Sequence, residues 1–369
     1  MPRVELRRVS KTFGQIAALR DIDLEVGDGQ YACLLGPTGS GKTTLLKVIA
    51  GLVAVDTGKI LLDGKVSNEV PPEQRNAVYM PQNYALFPHM TAKDNIAYGL
   101  RVRGVDEASI SDVIERTLEL VKLKGWGNAY PHELSGGMQQ RVALARCITT
   151  GSKIMLLDEP LGALDARLRL ELRIELKRLA KDLGLTVVHV THDQAEATAM
   201  GDVIILLRGG QIAQFGEPEE VYLRPSSIFA ANFVGEKNII DGRVTDVRAD
   251  EAIIDLGDGL QIVAPRNGLG TGELAVVVIR CEGIHPFHIH DKNTNNIAGV
   301  VRDVRFLGSY FRYSIQLKGG KVLQANVPSA RSLHVNAAID NTIPLSIRKE
   351  DIAVFKYPER GLALEVEAI

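Results

Sequence analysis

The chain has 369 residues, 45% of them hydrophobic and 24% charged, with a formal net charge of −2. That size and balance suit two globular domains with substantial cores, with no basic excess to hold nucleic acid and no acidic tail to hold a cationic partner. No apolar run approaches the ~20 residues that cross a bilayer; Met1-Pro2-Arg3-Val4-Glu5 lacks the apolar core of a secretory leader; and Cys33, Cys147 and Cys281 are too scattered for a disulfide or metal framework.

Residues 1 to about 82 alternate short strands with one glycine-rich loop. Tyr31-Ala32-Cys33-Leu34-Leu35 reads as a buried parallel strand, and Thr44 to Ala50 as a helix that stops at Gly51. Between them lies Gly36-Pro37-Thr38-Gly39-Ser40-Gly41-Lys42-Thr43. Strand, glycine loop and helix form the context of a phosphate loop. Its backbone N–H groups and the helix N-terminus attract phosphate. Lys42 suits the β- and γ-phosphates, and the Thr43 hydroxyl suits a Mg²⁺ ion.

Residues about 83–134 change character. Asp106 to Lys124 carries helical spacing through Ile110, Val113, Ile114, Leu118, Val121 and Leu123. Tyr84 to Met90 is unusually apolar for a connection, which fits either core packing or a groove for a partner helix. At Leu134-Ser135-Gly136-Gly137-Met138-Gln139-Gln140-Arg141 a serine and two glycines open a helix, making a second anion site in a chain that already has one.

Ile154 to Leu157 reads as a second buried strand ending in Asp158 and Glu159. Asp158 is placed to hold the metal. Glu159, expected on the opposite face because strand residues alternate, is placed to take a proton from water. Asp165 to Leu183 is an amphipathic helix with Leu168, Leu172, Leu176, Leu179 and Leu183 on one stripe. Leu185 to Val190 is a third strand closed by Thr191-His192-Asp193, where His192 can meet the γ-phosphate; His189, inside the apolar run, reads as a core residue. Val203 to Leu207 continues the sheet, and Pro218 to Phe233 reads as short helices closing a first domain, 1–235.

These segments together resemble the ATP-binding-cassette (ABC) ATPases over about the first two thirds of the chain. The resemblance implies an α/β P-loop fold with a helical subdomain. It also implies a head-to-tail homodimer in which Ser135, Gly136, Gly137 and Gln139 of one copy complete the ATP site of the other. Gln82 resembles the glutamine that senses metal and water, Asp165 the acid of the interface-crossing loop, and Phe13 the aromatic that stacks on adenine.

After Gly235 the pattern becomes period two. Gly242-Arg243-Val244-Thr245-Asp246-Val247-Arg248 echoes Gly299-Val300-Val301-Arg302-Asp303-Val304-Arg305, and Ile279 to Phe287 echoes Ile347 to Phe355. Two copies of roughly 55–60 residues suggest small all-β barrels over 236–369, similar to the OB-like (TOBE) domain of import-type ABC ATPases. Whether it braces a dimer or binds a regulator stays open. Such barrels also bind oligonucleotides, but here aromatics are sparse and charge is balanced. His285, His288 and His290 read as a linker between the repeats, with metal binding the alternative.

The resemblance implies an ATP-hydrolysing importer subunit that uses ATP and Mg²⁺. It would lie peripherally on the cytoplasmic face of the plasma (inner) membrane, with two transmembrane permease subunits and, indirectly, a solute-binding protein. Gly235-Glu236-Lys237-Asn238, Leu307-Gly308-Ser309-Tyr310 and Glu350-Asp351-Ile352 resemble polyamine-, iron- or thiosulfate-type importers, polyamine being the lead. The general layout equally resembles sugar and glycerol-phosphate importers. Gly36-Pro37-Thr38-Gly39 and Phe233-Val234-Gly235 also occur in molybdate/tungstate types. A soluble ABC ATPase acting on nucleic acid or ribosomes is the alternative class. A single cassette without a long coiled-coil insertion speaks against it.

Overall fold

The computed structural model describes residues 3–289, 291–332 and 338–366. They divide into two units that part between Pro218 and Glu219.

The first unit opens with two long antiparallel strands rather than short ones, β1 (Val4–Phe13) and β2 (Ile16–Val26). With β4 (Thr57–Leu62) and β5 (Lys65–Val66) they form one sheet in the order β2-β1-β4-β5. The second sheet is built from β3 (Tyr31–Leu35), β6 (Ala77–Met80), β7 (Ile154–Asp158), β8 (Thr186–Val190), β9 (Val203–Arg208) and β10 (Gln211–Gly216). Its order is β10-β9-β3-β8-β7-β6, parallel except for β10 at the edge. β3, β7 and β8 are buried at every position, as expected of strands covered on both faces. α1 (Lys42–Ala50) packs Leu45, Leu46 and Ile49 into a core that also takes Leu6 and Ile22 from the first sheet and Leu34, Leu156 and Val188 from the second.

Between β6 and β7 the chain forms α2 (Ala92–Val102), α3 (Glu107–Leu120) and α4 (Gly136–Thr149), packed around Ile96, Leu118, Val121, Leu123, Val142 and Ala145. α5 (Ala166–Asp182) and α6 (Gln194–Met200) follow. Thr91, Asp106, Ser135, Asp165 and Asp193 each accept a backbone N–H at the start of the helix they cap. α5 buries Leu172, Leu176 and Ala180, a tighter stripe than the leucine spacing suggested. Leu183 lies past its end and is exposed.

The second unit takes most of α7 (Pro218–Leu223) and all of α8 (Ile228–Phe233). The division thus falls ahead of Gly235, because Ile228 and Ala231 pack on Val276 and Val278 of β14 (Leu274–Arg280). The first repeat supplies β11 (Lys237–Arg248), β12 (Glu251–Asp255), β13 (Gln261–Pro265), β14 and β15 (Ile284–His285). The second supplies β16 (Thr294–Phe306), β17 (Tyr310–Leu317), β18 (Val322–Pro328), β19 (Thr342–Arg348) and β20 (Ile352–Lys356). Short helices α9 (Ser329–Ser332) and α10 (Leu362–Val366) complete it.

The repeats exchange their last strands. β20 joins β14 in the sheet β13-β12-β11-β14-β20, and β15 joins β19 in the sheet β15-β19-β16-β17-β18. The segment read as a linker therefore begins inside a sheet. Ser346 holds it further, donating to the Phe287 carbonyl and accepting from the Ile289 N–H. His290 lies outside the described residues, and no cluster of three or more His, Cys, Asp or Glu side chains able to hold a metal occurs among those described. One core spans both repeats, including Ile240, Ile254 and Val277 from the first and Ile315, Leu323 and Leu345 from the second. Gly242 and Gly299 are equivalent close approaches: a Cβ at either would meet an isoleucine Cγ2 at 2.6 or 2.5 Å.

Two buried asparagines at equivalent repeat positions lock the exchange. Asn238 on β11 accepts the Gln324 N–H of β18 at 2.6 Å and donates to the Gln324 carbonyl at 2.9 Å. Asn295 on β16 accepts the Val263 N–H of β13 at 2.6 Å and donates to its carbonyl at 2.8 Å. Each amide thus replaces a missing strand neighbour. Replacing either by Leu leaves a backbone N–H and C=O unpaired, a cost of about 1–3 kcal/mol. Hydrogen exchange by mass spectrometry on the full chain is expected to show β18 losing protection first in Asn238→Leu and β13 first in Asn295→Leu. Protection lost equally from both strands in both variants would remove the reciprocal clamp.

Candidate functional site

Parallel register brings four sequence segments to one sheet edge. β3 pairs with β8 as Leu34↔Val190, β7 with β8 as Asp158↔Val190, and β6 with β7 as Met80↔Leu157. The chain leaves those strand ends as the glycine loop, as Asp158-Glu159, as Thr191-His192 and as Pro81-Gln82. This carboxyl edge is where open α/β sheets bind ligands.

Gly41 stands at the start of α1 with φ 105, and a Cβ there would meet the Ala18 carbonyl at 2.4 Å, so only glycine brings the helix N-terminus up to the loop. The opposite end of α1 is braced by Arg75, which donates to the Val48 and Ile49 carbonyls and complements the helix dipole. Lys42 is buried, and its ammonium bonds the Gly36 and Pro37 carbonyls at 2.9 and 2.7 Å. Burial lowers its pKa, against the attraction of Glu159 and Asp158. Ser40 Oγ is buried and has no hydrogen-bond partner among the described residues. Thr38 and Gly39 are exposed at the loop tip, and Thr44 is half-buried beside Thr43.

Asp158 is buried, and burial pushes its carboxyl above the usual range, opposed by hydrogen bonds from Thr43 and Tyr79. The Tyr79 hydroxyl lies 3.3 Å away. Glu159 does point elsewhere, but strand alternation is not the cause. β7 ends at Asp158, and Glu159 adopts φ 52, a left-handed turn disfavoured for a residue with a Cβ. The turn sends its carboxylate to His192 Nε2 at 2.8 Å and to the donating Gln82 Nε2 at 3.2 Å. Those three residues meet at the carboxyl edge of the sheet. His189 is fully buried and bonded to the Tyr31 hydroxyl at 2.7 Å; burial pushes its pKa down to about 3, so it is a neutral core residue.

The other segments stand apart from this cluster. Ser135 and Gly136 are exposed at the start of α4 and Gly137 is half-buried. The Ser135 hydroxyl accepts the Met138 N–H at 3.4 Å. Gln139 faces inward, donating to the Pro131 and Leu134 carbonyls, so its amide nitrogen shapes the loop rather than facing solvent. Asp165 is exposed and caps α5 through the Leu168 N–H. Phe13 is 49% exposed at the tip of the β1–β2 hairpin, with Lys11 Nζ 5.4 Å from its ring centre, so one aromatic face is open to a flat ligand.

Two residues of α4 were not anticipated. Gln140 is 1% exposed; it donates to the Glu159 carbonyl at 3.0 Å and accepts the Ala163 N–H at 3.2 Å. Arg146 donates to the Tyr84 and Ala85 carbonyls, both at 2.9 Å, and so holds two consecutive residues with φ 64 and 43. Its guanidinium lies 5.3 Å over the Phe87 ring. Gln140 had a signal, a polar side chain four and seven residues before Leu144 and Cys147 on the buried face. Arg146 had none. Phe87, Ala85, Leu52, Tyr98, Val102 and Arg146 line an open groove of about 560 Å³ between α2 and the β6 side of the sheet.

The chain is similar to known proteins over most of its length. The family described as ABC transporter matches residues 19–162, and the TOBE domain matches residues 277–355. The spermidine/putrescine import ATP-binding protein PotA of Nostoc sp. (strain PCC 7120) is 42% identical over 330 residues, 88% of this chain and 87% of that protein. Its counterpart from Nitrosospira multiformis is 38% identical over 363 residues, 97% and 100% of the two chains. The dimeric ATP-binding cassette MJ0796, solved in a post-hydrolysis state with ADP and Pi, superposes with a TM-score of 0.55 at 30% identity, covering 58% of this chain and 98% of that one. The chain belongs to the ABC transporter family, as an ATP-binding, ATP-hydrolysing subunit of the import type that carries a TOBE domain.

Proposed function

We propose that this chain drives import of a polyamine, closing as a homodimer on two ATP molecules and reopening when they are hydrolysed. The carrying observation is the convergence of Lys42, Thr43, Asp158, Glu159, His192 and Gln82 at one strand edge. The spermidine/putrescine names of relatives matching nearly the whole chain support the solute class.

Thr43 and Asp158, whose carboxylate the neighbouring Thr43 hydroxyl stabilises, offer the hard oxygen donors that Mg²⁺ prefers. Bound there with ATP, Mg²⁺ would neutralise charge on the phosphates. The loop from Gly36 to Thr44 cradles those phosphates with its N–H groups and Lys42, and Phe13 stacks on adenine. Glu159 takes the proton of the attacking water as that water bonds the γ-phosphorus and ADP leaves. His192 and Gln82, both within hydrogen-bond range of its carboxylate, orient the water. Ser135, Gly136 and Gly137, exposed at a capped helix start, meet the γ-phosphate held by the second copy, with Asp165 crossing the interface. Gln139 supports that loop from behind.

The groove beside Phe87 and Tyr98 receives a segment of one permease subunit, and the same groove of the second copy a segment of the other, at the cytoplasmic face of the inner membrane. Arg146 transmits its occupancy to the strained loop that carries Gln82. A solute-binding protein delivers the solute from outside and does not touch this chain.

The solute class is tested by uptake. Cells lacking their own polyamine importers and expressing this chain with its permease and binding-protein partners are expected to accumulate labelled spermidine or putrescine, and Lys42→Ala is expected to abolish accumulation. Uptake of a sugar, iron or thiosulfate instead would overturn the polyamine assignment while leaving the ATPase intact.

Glu159→Gln keeps the shape of the base but cannot accept its proton, so ATP binding is expected to persist while turnover falls about 100-fold or more. With Mg-ATP this variant is expected to elute as a dimer. Adding Ser135→Arg is expected to return it to a monomer that still binds nucleotide. Parental turnover in Glu159→Gln removes Glu159 as base. A double variant that stays dimeric removes the Ser135 helix start from closure.

Asp158 also makes a stability prediction. Its folded pKa lies above the unfolded value, so folding favours the protonated acid. That contribution is full below the ordinary carboxylate pKa and is lost as pH rises through the folded value. Asp158→Asn is therefore expected to melt about 2–4 °C higher than the parent at neutral pH without metal or nucleotide, the shift of ~1 kcal/mol in a domain of this size. The advantage is expected to shrink toward pH 5, and hydrolysis to be lost. Calorimetry across that range checks the sign.

A further inference from the structure

We propose that Gln140 positions the general base, tying the backbone of Glu159 to the helix that begins at Ser135. This rests on the reading of Glu159 as base and extends it to the residue that keeps the base in place.

The carboxylate of Glu159 reaches His192 and Gln82 only because its backbone turns left-handed at φ 52. A residue with a Cβ holds that conformation where its surroundings over-determine it. Here its N–H donates to the Val190 carbonyl at 3.0 Å, and its C=O receives the Gln140 amide at 3.0 Å. The other end of the same amide accepts from Ala163 at 3.2 Å, in the loop leading to Asp165. Gln140 thus joins the turn of the base to the start of the next loop.

The position favours an apolar residue on physical grounds. Gln140 is 1% exposed on the face of α4 that also buries Leu144 and Cys147. A buried amide is tolerated there because both of its ends are satisfied. Ser135 caps α4 five residues earlier. A displacement of this helix when its N-terminus meets the second copy's nucleotide therefore moves Gln140, and with it the carbonyl of Glu159 and the amide of Ala163. The base is drawn into line by the same helix that senses closure.

The test uses the full chain with Gln140→Leu, and with Gln140→Met, whose unbranched side chain fills nearly the same space. Nucleotide affinity, KM, kcat and melting temperature are measured for each. The expected result is a kcat about 10–100-fold lower, with KM and affinity within about 3-fold of the parent, the pattern of a lost transition-state interaction. In a Glu159→Gln background, Gln140→Met is expected to slow the residual single-turnover cleavage no further, since its effect runs through that side chain. A folded variant with parental kcat overturns the proposal. So does a loss of affinity in step with rate and melting temperature, or a full multiplicative loss in the Glu159→Gln background. Parental turnover in Glu159→Gln alone defeats the base reading instead, whatever the Gln140 variants do.

Discussion

The site depends on one constraint: the parallel register of β6, β7, β8 and β3. Asp158 and Leu34 both pair with Val190, and Met80 pairs with Leu157, so four strands end level with one another. Strands of that kind cannot be joined by hairpins; each connection must cross the sheet and return. The crossover from β6 to β7 is the longest, and it carries α2, α3 and α4. It leaves the site edge at Gln82 and comes back to the start of β7, so the helices that form the groove are tied covalently to the edge where the phosphate loop lies.

That edge also gathers several costly features. Lys42 and Asp158 are buried charged groups, and burial disfavours the charged form of each. Glu159, Tyr84 and Ala85 are left-handed residues with a Cβ. Each lowers stability, and proteins keep such features where function needs them. α4 offsets part of the cost. Gln140 brackets the first strained turn and Arg146 the other two, from positions less than two helical turns apart on one rod. The nucleotide site and the groove are thereby braced by a single element.

Much of this was legible in the sequence. Strands such as Tyr31–Leu35 and Ile154–Leu157 are apolar at every position, which only a sheet covered on both faces requires, and the loop between strand and helix names its ligand chemistry. The divergence of Glu159 from Asp158 was also foreseeable, although its cause was not: alternation along a strand and a left-handed turn give the same result. The inward turn of Gln139 and the latch made by Arg146 were not legible, because each depends on where a backbone carbonyl lies in space. Gln140 and Asn238 fall between these cases. Both are polar residues at positions where the helical or two-residue period calls for apolar ones, and that breach of pattern was visible before its partner was.

The barrel unit carries the same lesson to larger scale. The echo of residues 242–248 in 299–305 showed two copies but not their exchange of strands. Period-two patterning says which face of a strand is buried and leaves its neighbour unspecified. Asn238 and Asn295 supply the missing information, since each amide mates with one residue of the other repeat. Neither repeat completes its sheet alone: without β20 the edge of β14 is bare, and without β15 so is the edge of β19. An unpaired edge is costly and invites wrong partners. The exchange therefore makes the two repeats one cooperative unit around one core, and opening either half exposes an edge of the other.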